Sequence, residues 1–135
     1  MSTEFFMCLI PPTATHQEHK VKMAKGRPVF YEPENVREAR AKLKAYLAPH
    51  RPDKPQEGAV RLVTKWCFPA NGKRKNGEYK TTKPDTDNLI KLLKDCMTEL
   101  GFWKDDALVA SEITEKFWAD VPGIYVRIED LEPGD

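Results

Sequence analysis

The chain has 135 residues, 40% hydrophobic and 32% charged, with a formal net charge of +1, a size and make-up that suit one soluble domain (residues 1–135) with one core and leave little room for two. No apolar run approaches the roughly 20 residues that span a bilayer, and the start MSTEFFMCLIPP has neither the basic leader nor the long apolar stretch of a secretory signal, so a cytoplasmic protein without a membrane segment is expected. Cys8, Cys67 and Cys96 are odd in number and widely spaced, which argues against a disulfide framework or a C-x-x-C zinc site and leaves each to pack as a small hydrophobe.

In chain order, FFMCLI (residues 5–10) is a short apolar run stopped by Pro11-Pro12 and predicts a buried strand. The stretch from there to about residue 32, with Gly26 and Pro28, reads as a long polar loop, and its His16 and His19 as solvated loop histidines rather than metal ligands. In PENVREARAKLKAYLA (33–48), Val36, Ala39, Leu43 and Leu47 recur at steps of three or four, which predicts an amphipathic helix. After the turn-rich HRPDKPQEG, alternation of Val60, Leu62, Trp66 and Phe68 with Arg61 and Lys65 predicts a strand.

NGKRKNGEYKTTK (71–83) holds five Lys or Arg against one Glu and no apolar face, so a mobile loop is expected. From Asp87 to Leu100 the set Leu89, Leu92, Leu93, Cys96, Met97 and Leu100 marks one broad helical face, and Gly101 stands where a helix ends. ALVASEITEKFW and IYVRIED alternate at period two around Pro122-Gly123, the pattern of an antiparallel hairpin. The order β-α-β-α-β-β implies an α/β (α+β) fold: a single mixed sheet with helices packed against it.

Charge is divided along this order. Residues 1–84 carry 17 Lys or Arg against 8 Asp or Glu, whereas residues 105–135 carry 2 against 9. A basic surface beside an acidic cluster suits a metal-dependent enzyme acting on a polyanion, although segregated charge also serves solvation alone. The acidic residues that matter flank the second helix: Asp85 and Asp87 at its start, Asp105 and Asp106 beyond its end. A single Asp there is first of all a cap. Converging carboxylates, by contrast, repel unless a cation lies between them, and oxygen-only ligands favour Mg²⁺ or Mn²⁺. A calcium loop is excluded because Leu89 and Ile90 stand where an oxygen ligand and a glycine are required. The chain has no G-x-x-x-x-G-K-[ST] and no G-x-G-x-x-G, so no nucleotide cofactor is indicated. Lys91 lies four residues after Asp87 and four before Asp95, and either pairs on the surface or serves chemistry.

These residues resemble the Holliday junction resolvases of the RusA type, many of them encoded by phages and prophages. The resemblance rests on a helix-opening D-x-D-N-L, here Asp85, Asp87, Asn88 and Leu89, followed by Lys91, then G-F-W-x-D-D, here Gly101, Phe102, Trp103, Asp105 and Asp106. It implies that Asp85, Asp87 and Asp106 bind Mg²⁺, with Mn²⁺ as a substitute, that Lys91 is a catalytic lysine, and that a homodimer makes paired cuts in four-way DNA junctions during recombination and repair. Catalytic residues would then be Asp85, Asp87, Lys91 and Asp106. Lys73, Arg74, Lys75, Lys80 and Lys83 are the expected DNA contacts. Phe102 and Trp103 are expected in the core rather than against bases. Two rivals stand: a general structure-specific nuclease using the same carboxylates, and a DNA-binding module without catalysis.

Overall fold

The structure is a computed structural model and describes residues 2–14, 20–24 and 26–132. Strands β1 (Ser2–Met7), β4 (Val60–Pro69), β5 (Val109–Ala119) and β6 (Gly123–Asp130) form one mixed sheet in the order β1-β6-β4-β5, and β2 (Lys20–Ala24) pairs antiparallel with β3 (Arg27–Tyr31) in a separate two-stranded sheet. Helices α1 (Glu34–Leu47) and α2 (Thr86–Glu99) complete the α+β fold. No helix among the described residues is long and apolar enough to cross a membrane.

Alternation places Val60, Leu62, Thr64, Trp66 and Phe68 of β4 on the covered face of the sheet, all buried. Ile124, Val126 and Ile128 of β6 join them there, under Leu43 and Leu47 of α1 and the leucine face of α2. The buried set of α2 is Leu89, Ile90, Leu92, Leu93, Cys96 and Met97, and each fully buried leucine contributes about 1.5–3 kcal/mol toward holding the helix on the sheet. Both helices, strand β4 and the packing of Phe102 and Trp103, each 1% exposed, agree with the sequence reading. The Trp103 indole N–H donates to Thr98 Oγ1 at 2.7 Å, which satisfies its one polar atom in the core. α2 ends in a left-handed turn: Gly101 has φ 83°, its N–H donates to Thr98 O at 3.1 Å, and the Phe102 N–H donates to Met97 O at 3.0 Å.

Four expectations need correction. The polar stretch before residue 32 contains the β2–β3 pair, with Gly26 at φ 75° between its strands, while His16 and His19 lie outside the described residues. β1 occupies Ser2–Met7 rather than residues 5–10. β5 and β6 are not a hairpin: β4 lies between them, parallel to β5 and antiparallel to β6. Alternation reports which face a strand buries, not which neighbour it pairs with. Of the cysteines only Cys96 is buried, and burial pushes its thiol up to about 12; Cys67 is half-buried and Cys8 exposed.

Because β4 and β5 are parallel, α2 must carry the chain back between them. Its first turn therefore lies where β4 and β5 finish, and its last turn where they begin. This direction decides the geometry of the site.

Candidate active site

Asp85 is the N-cap residue of α2, with φ −73° and ψ 149°, and its carbonyl accepts the Leu89 N–H at 3.1 Å. Its carboxylate makes no capping hydrogen bond. The simple explanation of this aspartate, a side chain spent on the orphan N–H groups of a helix, thus does not apply. Asp87 lies in the first turn, exposed, where the positive end of the helix dipole favours it. Neither carboxylate has a partner among the described residues.

Lys91 stands one turn on, its side chain 52% exposed and 3.7 Å from Asp95 Oδ1. The pair it forms is with Asp95, not with Asp87. An exposed i,i+4 pair of that length contributes about 0.3–0.5 kcal/mol, small enough for Lys91 to leave it for a phosphate.

The two later aspartates differ. Asp105 caps the short 3-10 turn Asp106–Leu108, its Oδ1 accepting the Ala107 N–H at 2.9 Å. Asp106 is half-buried and has no partner among the described residues. Within one chain it does not approach the first pair. α2 has 14 residues, about 21 Å at 1.5 Å per residue. Asp85 sits at its start, whereas Asp106 follows its end, just before Val109 pairs with Val60 at the opposite edge of the strands. Lys94 of α2 pairs with Glu112 midway along at 2.9 Å, which confirms the antiparallel run of helix and strand. Accordingly, no three His, Cys, Asp or Glu side chains among the described residues are gathered closely enough to hold a metal ion. As a donor set Asp85, Asp87 and Asp106 suit Mg²⁺, being oxygen-only and uncommitted to internal bonds. What one chain lacks is their convergence.

The basic segment before α2 is tied down along the outer edge of β5. Gly77 N–H donates to Trp118 O at 2.7 Å, Trp118 N–H to Glu78 O at 2.8 Å, and Lys80 N–H to Lys116 O at 3.0 Å. Tyr79 forms a bridge with Phe117 and stacks on its ring at 4.9 Å. The segment is thus not the mobile loop its lack of an apolar face suggests; its apolar anchors belong to β4 and β5. Lys80 is only 8% exposed, with Nζ 4.3 Å from the Trp118 ring centre and 5.1 Å from that of Phe68. Burial, with Lys116 and Arg74 nearby, pulls its pKa below the usual lysine value. Lys80 is therefore largely buried, with its ammonium bonded to Thr82 Oγ1. Lys73, Lys75 and Lys83 are exposed, and Arg74 pairs with Glu78 at 3.4 Å. The Lys75 backbone N–H and the Arg74 guanidinium hold the Glu78 carboxyl below its usual range.

Sequence reasoning missed Lys116. Its ammonium donates to Thr82 O at 2.7 Å and Pro84 O at 2.8 Å, at the turn that leads into Asp85. The available signal was an isolated lysine in an acidic stretch, at an inward-facing position of its strand: residues 105–135 contain only Lys116 and Arg127 as basic residues.

The family model described as Endodeoxyribonuclease RusA matches residues 10–129. The crossover junction endodeoxyribonuclease rusA of Lactococcus phage r1t is 32% identical over 111 residues, covering 81% of this chain and 83% of that protein. The protein YqaN of Bacillus subtilis (strain 168) is 32% identical over 93 residues, 61% of this chain and 65% of its own length.

Proposed function

Because the chain belongs to the RusA family of endodeoxyribonucleases, we propose that it resolves four-way DNA junctions by paired, symmetric nicks. It does so as a homodimer with Mg²⁺ as cofactor and Mn²⁺ as a substitute, as one domain in the cytoplasm during DNA recombination and repair. Family membership makes it an endodeoxyribonuclease rather than a binding module without catalysis.

The observation that carries the reading is the division of three uncommitted carboxylates between the two ends of α2. A full ligand set then requires two copies, with Asp85 and Asp87 of one chain meeting Asp106 of the other. A two-fold dimer holds two such composite sets, one for each strand to be cut. Phe6 and Ile113, 40% and 45% exposed, are apolar surface that a second copy could cover.

Each element of the chain has a part. The packed leucine face of α2 fixes the helix that presents Asp85 and Asp87. Exposed Lys73, Arg74, Lys75 and Lys83 hold backbone phosphates just ahead of that helix. Mg²⁺ at a composite set would supply Lewis-acid charge toward the scissile phosphate and the water that attacks it. Lys91, one turn from Asp87, exchanges its weak pairing with Asp95 for the charge that builds on the phosphoryl oxygens.

A panel of mobile four-way, flap and linear DNAs, with and without Mg²⁺, tests this. Mg²⁺-dependent paired nicking of the four-way substrate is expected, and equal cutting of all three forms would favour the general structure-specific nuclease. Changing Lys73, Arg74 and Lys75 together to Ala is expected to weaken binding to every DNA form alike. The slope of log affinity against log salt should shrink by about 0.9 for each phosphate that the variant no longer neutralises. An unchanged slope would place the segment away from DNA.

A further inference from the structure

Between the basic segment and the carboxylate helix, residues 80–85 belong to no helix or strand. One residue of β5 gathers them. The carbonyl of Lys116 accepts the Lys80 N–H at 3.0 Å. Its own ammonium reaches forward to Thr82 O at 2.7 Å and Pro84 O at 2.8 Å. The Thr82 side chain is held in addition by Lys80 Nζ, at 2.5 Å from its Oγ1. Pro84 O belongs to the peptide that joins Pro84 to Asp85. The second bond of Lys116 therefore ends one residue before the first carboxylate, and the carbonyl of Asp85 in turn opens α2 through the Leu89 N–H. Register explains why this lysine points there. Lys116 lies opposite Trp66 across the β4–β5 ladder, on the face covered by the helices, at the end of the strand where α2 begins.

We propose that Lys116 is a positioning residue for strand cleavage: its ammonium fixes the turn at Thr82 and Pro84 and so sets where Asp85 and Asp87 stand. The proposal rests on the reading of those two aspartates as the reacting carboxylates. A lysine suits the task because its ammonium has three donors and no acceptor, so it serves two carbonyls at once through charge-assisted bonds. The same two bonds link the segment that holds DNA to the residues that act on it, through one side chain.

The test compares K116M, which keeps the stem and loses the donors, with K116R, which keeps charge and donors. Single-turnover junction cleavage at saturating protein is expected to fall about tenfold to a hundredfold in K116M, with junction affinity within about threefold of the parent, and to recover most of the loss in K116R. In metal-free protein, amide hydrogen exchange at Leu89 is expected to speed up in K116M and not in K116R, a readout independent of cleavage. A K116M protein with parental rate and parental exchange would overturn the proposal, as would a loss that K116R does not restore. Should K116M fail to fold, K116Q, whose neutral amide can still serve a carbonyl, is expected to give an intermediate loss, and an unchanged rate in it would overturn the proposal. Retained cleavage in Asp85→Asn would instead remove the premise, and that result is read from a different protein.

Discussion

Asp85→Asn and Asp87→Asn are each expected to lower junction cleavage by on the order of a thousandfold or more while leaving the fold and junction binding in place. The fold should hold because neither carboxylate has a partner to lose among the described residues. Asn is as good an N-cap residue as Asp, so Asp85→Asn should be nearly neutral for stability. Asp87→Asn gives up a favourable interaction with the helix dipole worth about 0.3–1 kcal/mol. Without Mg²⁺, junction affinity is expected to stay level or rise, since removing a negative charge lessens repulsion of a polyanion. Asp106→Asn should behave like the first two. Asp105→Asn is the internal control, because that carboxylate is occupied by the Ala107 N–H at 2.9 Å and its amide can take the same role. Cleavage rates with Mg²⁺, beside thermal melts and gel-shift titrations, separate these effects. Full nicking by all three dead-site candidates would end the carboxylate account.

Lys91→Ala is expected to slow single-turnover cleavage by about a hundredfold to a thousandfold while changing junction affinity only a few fold, because its partner is charge present in the transition state. The stability cost should not exceed about 0.5 kcal/mol, the value of the exposed pair with Asp95. An unaltered single-turnover rate at saturating protein would reduce Lys91 to that surface pair.

How much of this is legible in the sequence depends on whether the determining interactions are local. The leucine face of α2 and the glycine at its end follow a helical period, so they can be read directly, and the acidic residues at both ends are visible as candidates. Gly101 and Phe102 close the helix with bonds to residues only three and five positions back, a signal entirely within reach of the sequence. The sheet order is different. Nothing in the alternation of β5 and β6 shows that β4, about 50 residues earlier, comes between them. The segment at 71–83 misleads for the same reason: its composition is that of a free loop, yet Trp118 and Phe68 come from elsewhere in the chain to hold Lys80. As for the site, spacing along the chain marks the acidic pairs at the two ends of α2, and the family resemblance singles out Asp85, Asp87 and Asp106 among them, but closeness in sequence is not closeness in space. A helix of 14 residues separates them by its own length. Lys116 cannot be found by motif, since its partners are two main-chain carbonyls.

The division of the carboxylates between two copies is the central claim, and mixed dimers test it most directly. One parent carries Asp85→Asn together with Asp87→Asn, the other carries Asp106→Asn, and each alone is expected to be inactive. In a dimer of one chain from each, one composite set combines every altered residue while the other combines wild-type Asp85 and Asp87 with wild-type Asp106. Co-expression with two different tags and tandem purification isolates that mixed species for a junction-nicking assay with Mg²⁺. The account predicts that nicking returns, at a single strand per junction and at about half the parental total. If the carboxylates acted within one chain, both sets in the mixed dimer would be broken, and a mixed species as inactive as its two parents would contradict the account.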